Sequence, residues 1–192
     1  MRRSRTGALG LVAALALGVT ACTASHYEQV SCEGTYRQSI FILAAEAVPS
    51  ATFIPCIEPL PAGWTYAGSE VGSGLVRFWL DSDRVGKRAI EVTMSADCDL
   101  AGSVEVPPGN GPIGLRLYEG SGMNHPDETV LYYVFPGGCV TSRLSFTRSS
   151  APSIFDEADR LLGFTPRSVY TEGVQNDEGL TLCGADAPPC PG

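Results

Sequence analysis

Two pairs of aspartates have a spacing that acid–base chemistry or a cation site can use. They are Asp81 with Asp83 and Asp97 with Asp99. Alternate residues of a β-strand point to the same face, so the carboxylates of a pair would be neighbours if the strand continued through them. Such a pair could serve a glycosidase or hold calcium. Each pair lies at the end of a predicted strand, however, where aspartate commonly accepts backbone hydrogen bonds in a turn, and we expect that role.

The two histidines are the candidate general bases. His26 lies near the N-terminus in a short polar segment, and His125 precedes Pro126 in a predicted loop. A hydrolase needs such a base beside a nucleophile, but the chain has no G-x-S-x-G motif to present a serine. We therefore predict a protein without catalytic residues. A hydrolase that uses His125 or a carboxylate pair is the alternative.

The sequence carries no recognisable cofactor or metal motif. Gly72-x-Gly74 lacks the third glycine and the following helix of a dinucleotide-binding loop. No two cysteines are two to four residues apart and the histidines are distant, so the spacing does not fit a zinc site. The absence of C-x-x-C argues against a thiol-exchange enzyme. We expect no cofactor and no bound metal.

The first 22 residues have the layout of an export signal. A basic start is followed by an apolar run from Ala8 to Val19 and then by small residues, as in a secretory signal peptide. The run is shorter than the about 20 apolar residues that span a bilayer. Val-Thr-Ala-Cys at 19–22 resembles the lipobox of bacterial lipoprotein precursors. That resemblance implies cleavage before Cys22 and attachment of a diacylglycerol to its thiol.

The cysteine count fits this interpretation. The chain has seven cysteines, an odd number that needs an explanation in an exported protein. If Cys22 carries lipid, the other six can form three bridges in an oxidising compartment. Six cysteines allow many connectivities. An ordinary secretory cut near Ala21, with Cys22 in a disulfide, is the alternative. The pairing that we favour is Cys32–Cys56, Cys98–Cys139 and Cys183–Cys190.

Size and charge bound the class of protein. The chain has 192 residues and a formal net charge of −8. Removal of residues 1–21, which contain three arginines and no acid, would take the charge to −11. A length of about 100–200 residues suits a single domain. An acidic protein repels the phosphate backbone, so we expect no nucleic-acid partner.

Hydrophobic periodicity predicts an α+β domain. A first helix is predicted over 38–48 and a second from Ser153, as its N-cap, to Gly163. Alternating segments predict an antiparallel β-sheet of about five or six strands with one or two helices packed on one face. The side chains expected on the buried face of the first helix are Ile40, Leu43, Ala44 and Ala47.

The predicted organisation has four parts. Residues 1–21 are the signal peptide, 22–35 a lipid-anchored tether, 36–170 the single α+β domain and 171–192 a Pro/Gly-rich C-terminal tail. Within the domain, period-two alternation indicates the strands, because successive side chains point to opposite faces. The expected strand segments are 75–81, 88–96, 113–119, 129–135 and 140–147, and 52–57 is a short sixth candidate.

One face of the predicted sheet gathers cations and aromatic rings. Such a surface could hold an anionic or sugar ligand through charge-assisted hydrogen bonds and stacking. Ordinary cross-strand pairing, with Glu91 as one partner, explains the same residues without a ligand, and we favour it. The residues that the alternation places on this face are Arg77, Trp79, Arg116, Tyr118 and Arg143.

Short motifs between Ala44 and Phe146 carry a likeness to known proteins. They are AVPSATFIPC at 47–56, LPAGW at 60–64, RFWLDSDRVG at 77–86, Asp97-Cys98-Asp99 and YYVFPGGCVT at 132–141. This block resembles an uncharacterised family of exported envelope lipoproteins from high-GC Gram-positive bacteria. The resemblance implies an exported, membrane-associated protein, and it implies no activity, ligand or site residue.

These observations predict a lipid-anchored protein on the extracytoplasmic side of the cell membrane. Its contact with the bilayer would be made through Cys22. We expect a non-catalytic domain that binds an envelope protein or glycan. The alternatives are an envelope hydrolase that uses His125 or a carboxylate pair, and a structural accessory subunit of a membrane complex.

Overall fold

The structure, a computed structural model, describes residues 39–107, 113–122, 125–185 and 187–190. These residues form three helices and nine strands. The helices are α1 (Ser39–Ala47), α2 (Pro152–Ala158) and α3 (Arg167–Glu178). The strands are β1 (Phe53–Ile57), β2 (Trp64–Gly72), β3 (Leu75–Ser82), β4 (Gly86–Ser95), β5 (Val104–Val106), β6 (Arg116–Gly122), β7 (His125–Phe135), β8 (Gly138–Leu144) and β9 (Leu162–Pro166).

The strands form two antiparallel sheets. The larger has seven strands in the order β2-β3-β4-β8-β7-β6-β5, and the smaller pairs β1 with β9. The α+β class predicted from the sequence is confirmed, but the predicted single sheet of five or six strands is too small. The sequence hides the difference because β5 has only three residues, and because β1 and β9 are joined by pairing between distant segments.

The inner face of the large sheet forms the core. Its central strands contribute Val76, Phe78 and Leu80 from β3, Ile90, Val92 and Met94 from β4, and Val140 and Leu144 from β8, all buried. Helix α1 covers part of this face, with the ring of Phe41 edge-on to Phe78 at 6.4 Å. The small sheet covers another part, because Phe164 lies 4.9 Å from Tyr133 between ring centroids.

Helix α1 buries most of the face that was expected: Ala44 is buried, and Ile40 and Ala47 are partly buried against the core. Leu43 is 48% exposed, whereas Phe41, Ala44, Ala45 and Val48 are almost fully buried. The segment is apolar nearly all round, so its periodicity does not single out one face. Packing against β1, β2 and β3 makes that choice.

The second helix is shorter than predicted. It begins at Pro152 rather than after a Ser153 cap, and its N-cap Ala151 makes no side-chain hydrogen bond. It ends at Ala158, and Leu162 is the first residue of β9 instead of the last turn of a helix. The backbone of 162–166 pairs with β1, so a strand forms where the apolar spacing predicted helix.

The C-terminal segment belongs to the domain, in contrast to the peripheral tail predicted over 171–192. Helix α3 continues to Glu178, and Val174 and Leu182 are fully or almost fully buried. The guanidinium of the buried Arg167 donates to the carbonyl oxygen of Cys183 at 2.5 Å. The amide of Ala185 donates to the carbonyl oxygen of Pro49 at 2.7 Å. The local sequence does not indicate these contacts, because most residues of the segment are polar.

The region around His125 is also more regular than predicted. Strand β6 continues to Gly122 and β7 begins at His125, so the expected loop over 120–127 is mostly strand. The predicted strand segment 113–119 begins only at Arg116: Ile113 is fully exposed, whereas Leu115 and Leu117 are buried. Glycine and serine weaken the alternation in 120–122, and pairing with β7 supplies the strand.

Two disulfides, Cys98–Cys139 and Cys183–Cys190, confirm the corresponding pairings predicted from the sequence. Cys56 is also disulfide-bonded, and Cys32, its predicted partner, lies outside the described residues. The bridges indicate an oxidising, extracytoplasmic compartment. None of the helices in the described ranges has both the length and the apolar character needed to cross a bilayer.

Candidate functional site

The five residues predicted to share a sheet face do share it. Across the register, Trp79 is opposite Glu91, and Glu91 is opposite Arg143. On the next row, Tyr132 is opposite Tyr118. These side chains alternate with the core residues of their strands, so all of them point away from the core. We call this side of the seven-stranded sheet, which carries Arg77, Trp79, Arg116, Tyr118 and Arg143, the outer face.

Arg77 and Trp79 are held by their neighbours. The indole of Trp79 is only 7% exposed and donates to Glu91 Oε2 at 2.8 Å. Arg77 approaches the same carboxylate at 3.4 Å, and the guanidinium of Arg88 lies 4.6 Å from the centre of the Trp79 ring. This end of the outer face is therefore a packed cross-strand cluster, as expected if these side chains pair with one another rather than with a ligand.

Arg116 and Tyr118 pair with each other near the opposite edge of the sheet. The guanidinium of Arg116 lies 5.7 Å from the centre of the Tyr118 ring. Tyr118 and Arg77 lie in the same row of paired residues across the sheet, four strand spacings apart. At about 4.8 Å per spacing, the two positions are separated by roughly 19 Å. The five predicted residues thus share a face without forming one site.

A cleft of about 330 Å³ lies on the outer face over β6, β7 and β8. Arg143 is the member of the predicted ligand face that lines it. The loop after β4 forms one wall, and the end of the β6–β7 pair forms the other. The lining residues of this outer cleft are Asp99, Ala101, Gly120, Ser121, Gly122, His125, Val130, Tyr132, Thr141 and Arg143.

Gly120 leaves room for the cleft. It lies opposite Val130, and a Cβ on Gly120 would approach Tyr132 Cε2 at 3.6 Å and Ser103 Cβ at 3.4 Å. Its backbone does not have the positive φ that excludes side chains. A larger residue at this position would therefore fill the hollow without demanding a left-handed backbone.

The Cys98–Cys139 bridge positions one wall of the outer cleft. Cys139 belongs to β8 and Cys98 directly precedes Asp99. The hydroxyl of Thr141 lies 3.2 Å from Cys98 Sγ, and it is the donor because the bridged sulfur has no proton. Asp99 Oδ1 accepts a hydrogen bond from the amide of Ala101 at 3.0 Å, which leaves Oδ2 available to a ligand.

The outer cleft brings together three groups of a potential hydrolase. His125, Asp99 and Ser121 all line it, but strand alternation directs the side chain of Ser121 toward the opposite face of the sheet, where its partner Thr129 lies. No hydrogen bond joins His125 to Ser121 or to Asp99 in the described part of the chain. The nucleophile–base contact that defines a serine triad is thus not formed in this structure.

The other three aspartates of the two pairs lie at strand ends, and the carboxylate of Asp81 has a turn role. Asp81 Oδ1 accepts from the amide of Arg88 at 2.7 Å, and Asp83 lies against Gly63. The carbonyl of Asp97 accepts the hydroxyl of Ser95 at 2.7 Å. Among the described residues, no three histidine, cysteine, aspartate or glutamate side chains come together in a way that could hold a metal ion.

Sequence reasoning named Asp99, His125 and Arg143 but missed the other polar residues of the outer cleft. Tyr132 had a usable signal, because strand alternation places it on the same face as Arg143. No local pattern in the sequence indicates Ser121, Thr141 or Gly120, because these residues come together only through the pairing of β6, β7 and β8. Three predicted positions, Cys22, His26 and Cys32, lie outside the described residues.

Comparison with known proteins yields no relative. No protein-family model matches the chain, and neither a curated protein nor a solved structure is significantly similar to it.

Proposed function

We propose that the protein is a lipoprotein of the cell envelope, anchored to the extracytoplasmic side of the membrane through Cys22, whose domain binds a ligand in the outer cleft without converting it. The lipobox-like segment and the odd cysteine count support the anchor. The two bridges of the described chain support the oxidising compartment. We also propose that the chain is related to the exported envelope lipoproteins of high-GC Gram-positive bacteria that its short motifs resemble.

The observation that carries the binding role is the composition of the outer cleft. A partly exposed aromatic ring, Tyr132, lines this cleft together with the polar side chains of Thr141, His125 and Arg143. A concave site with few convergent polar groups is the usual form of a small-molecule site. The rest of the predicted ligand face is already paired within the protein.

The anchor is tested by mass spectrometry of the protein isolated from the membrane fraction of its producing bacterium. We expect a mature chain that begins at Cys22 with acyl chains on this residue and with the other six cysteines bridged. The variant Cys22→Ser should leave the membrane fraction and keep its bridges. An unmodified full-length chain with reduced cysteines would overturn the anchor and the compartment together.

Binding is tested by retention of the mature chain on purified envelope material. The chain starts at residue 22 and carries Cys22→Ser, so that lipid does not contribute. We expect Gly120→Val, which fills the outer cleft, to lose most of the retention. Tyr118→Ala, on the same face but outside the cleft, is the matched control and should bind as the parent does. Equal retention of parent and Gly120→Val would contradict binding in the cleft.

A hydrolase is the second candidate, because His125, Asp99 and Ser121 line one cleft. His125 is exposed, and catalytic hydrogen bonds often form only when substrate is bound. Incubation with ester substrates and envelope glycans tests this candidate. Turnover that is abolished by both Asp99→Asn and His125→Ala would support it, and absence of turnover with intact binding would exclude it. A structural accessory role is the outcome if neither ligand nor substrate is found.

A further inference from the structure

We infer that the outer cleft accepts an uncharged carbohydrate unit, with one face of the sugar against Tyr132 and its hydroxyls bound around the rim. This inference rests on the proposed binding role of the cleft and names its ligand class.

The charge of the outer cleft does not favour an anion. Apart from His125, the charged residues of the lining are Arg143 and Asp99, whose formal charges cancel. Arg143 Nη1 is already bound to Glu128 Oε2 at 3.4 Å. An anionic ligand would have to compete with Glu128, lie beside Asp99 and approach a protein of net charge −8.

The hydrogen-bonding groups fit the hydroxyls of a sugar, which donate and accept. The Oδ2 atom of Asp99 can accept, since the amide of Ala101 occupies Oδ1. Arg143 can donate further hydrogen bonds, because its guanidinium group has five N–H donors and the contact with Glu128 is made through Nη1. His125 can donate or accept from the end of the β6–β7 pair. The outer cleft thus offers both acceptors and donors.

Tyr132 and Gly120 supply the apolar floor. Tyr132 is partly exposed, its ring is bordered by Gly120, and Val130 lies opposite Gly120 on the neighbouring strand. A tyrosine ring combines an apolar body with a polar tip, which suits a ligand that has one apolar face and a rim of hydroxyls. The absence of a side chain at Gly120 allows such a ligand to lie on the ring.

The test is NMR titration of the mature chain, carrying Cys22→Ser, with neutral saccharides and with inorganic phosphate. The saccharides are glucose, galactose, mannose, arabinose, N-acetylglucosamine and their neutral disaccharides. We expect at least one saccharide to shift the amide signals of the outer cleft. Tyr132→Ala and Gly120→Val should each weaken this binding by about tenfold or more. Tyr132→Phe should stay within about twofold of the parent, and Tyr118→Ala should be unchanged.

The outcomes separate this inference from the proposed function. Phosphate that shifts the cleft signals when no saccharide does would overturn the sugar and leave the binding role standing. Saccharide shifts outside the cleft, unaffected by Gly120→Val, would also overturn the sugar inference. If saccharides, phosphate and envelope material all leave the cleft unchanged, both proposals fail. Should Tyr132→Ala not fold, Gly120→Val and Tyr132→Phe still decide the result.

Discussion

The indole Nε1 of Trp79 donates a hydrogen bond to Oε2 of Glu91, which lies directly opposite on the neighbouring strand, at 2.8 Å. The same carboxylate approaches Arg77 at 3.4 Å, and Arg88 covers the indole ring. Glu91 thus accepts a hydrogen bond from the buried indole of Trp79 and also pairs with the half-exposed guanidinium of Arg77. This arrangement keeps two of the residues that could have bound a ligand engaged in the sheet itself.

Replacement of Glu91 should destabilise the fold. In Glu91→Ala the buried indole N–H loses its acceptor, and a buried donor left unsatisfied costs about 1–3 kcal/mol. Glu91→Gln retains a carbonyl acceptor and should recover most of the loss. Urea unfolding measures both variants. Equal stabilities of Glu91→Ala and the parent would contradict the role of the hydrogen bond.

A glycine in the β7–β8 turn should tolerate no side chain. Gly137 has φ of +71°, and a Cβ there would overlap the carbonyl oxygen of Ser50. The turn is fixed on this side, because Ser50 Oγ donates to Gly137 O at 2.6 Å and Thr52 Oγ1 donates to Pro136 O at 2.9 Å. We expect Gly137→Ala to lower the free energy of unfolding by more than about 3 kcal/mol.

Gly74 is the matched control for Gly137. Its φ of +76° is similar, but a Cβ on Gly74 would meet nothing within 4 Å. Gly74→Ala should therefore cost only the backbone term, about 1–2 kcal/mol. Thermal unfolding of both variants compares them directly. Similar losses for the two variants would show that the contact with Ser50 contributes nothing.

The disulfide at the outer cleft should contribute to stability and to binding. Cys98–Cys139 has a sequence separation of 41, and the chain-entropy model gives about 4 kcal/mol for a loop of this length. Removal with Cys98→Ala and Cys139→Ala should reduce stability by up to this amount. It should also weaken retention on envelope material, because the bridge holds the wall that carries Asp99.

The second described bridge provides the comparison. Cys183–Cys190 has a separation of 7, for which the same model gives about 2–3 kcal/mol. Its removal should destabilise the C-terminal segment and leave the outer cleft intact. Chemical denaturation and envelope retention are measured on both double variants. Loss of binding in the Cys183→Ala, Cys190→Ala variant alone would contradict the assignment of the cleft.

Tyr133 should make stability fall at alkaline pH. Burial, with a smaller contribution from the charge of Asp159, raises the pKa of this phenol well above its ordinary value. The folded chain therefore keeps a proton that the unfolded chain releases above about pH 10. Stability is fully retained below that pH and decreases above it, by up to about 1.4 kcal/mol per pH unit for one such group. Comparing Tyr133→Phe with the parent between pH 9 and 11 isolates this effect, and identical pH profiles would contradict it.

Particular residues show where sequence reasoning works. The alternation in 75–81 and 88–96 correctly placed Val76 and Ile90 inward and Trp79 and Glu91 outward, because side-chain direction in a strand is a local property. The same reasoning failed for Leu162, whose spacing suits a helix. Its strand forms because β1 offers backbone partners, and no local pattern reports them.

The sequence alone determined features that depend on neighbouring residues: the α+β class and the face that the side chains of the long alternating strands occupy. Tertiary structure decided which surfaces are covered and which stay open. The outer cleft exists because β6, β7 and β8 pair in register and leave Gly120 beside Tyr132, while a disulfide holds Asp99 at the rim. Likewise, the polar C-terminal segment joins the core only because its few apolar side chains meet the small sheet. Such contacts link residues far apart in the chain, so they must offset the entropy of closing the intervening loop, and local propensity does not report them.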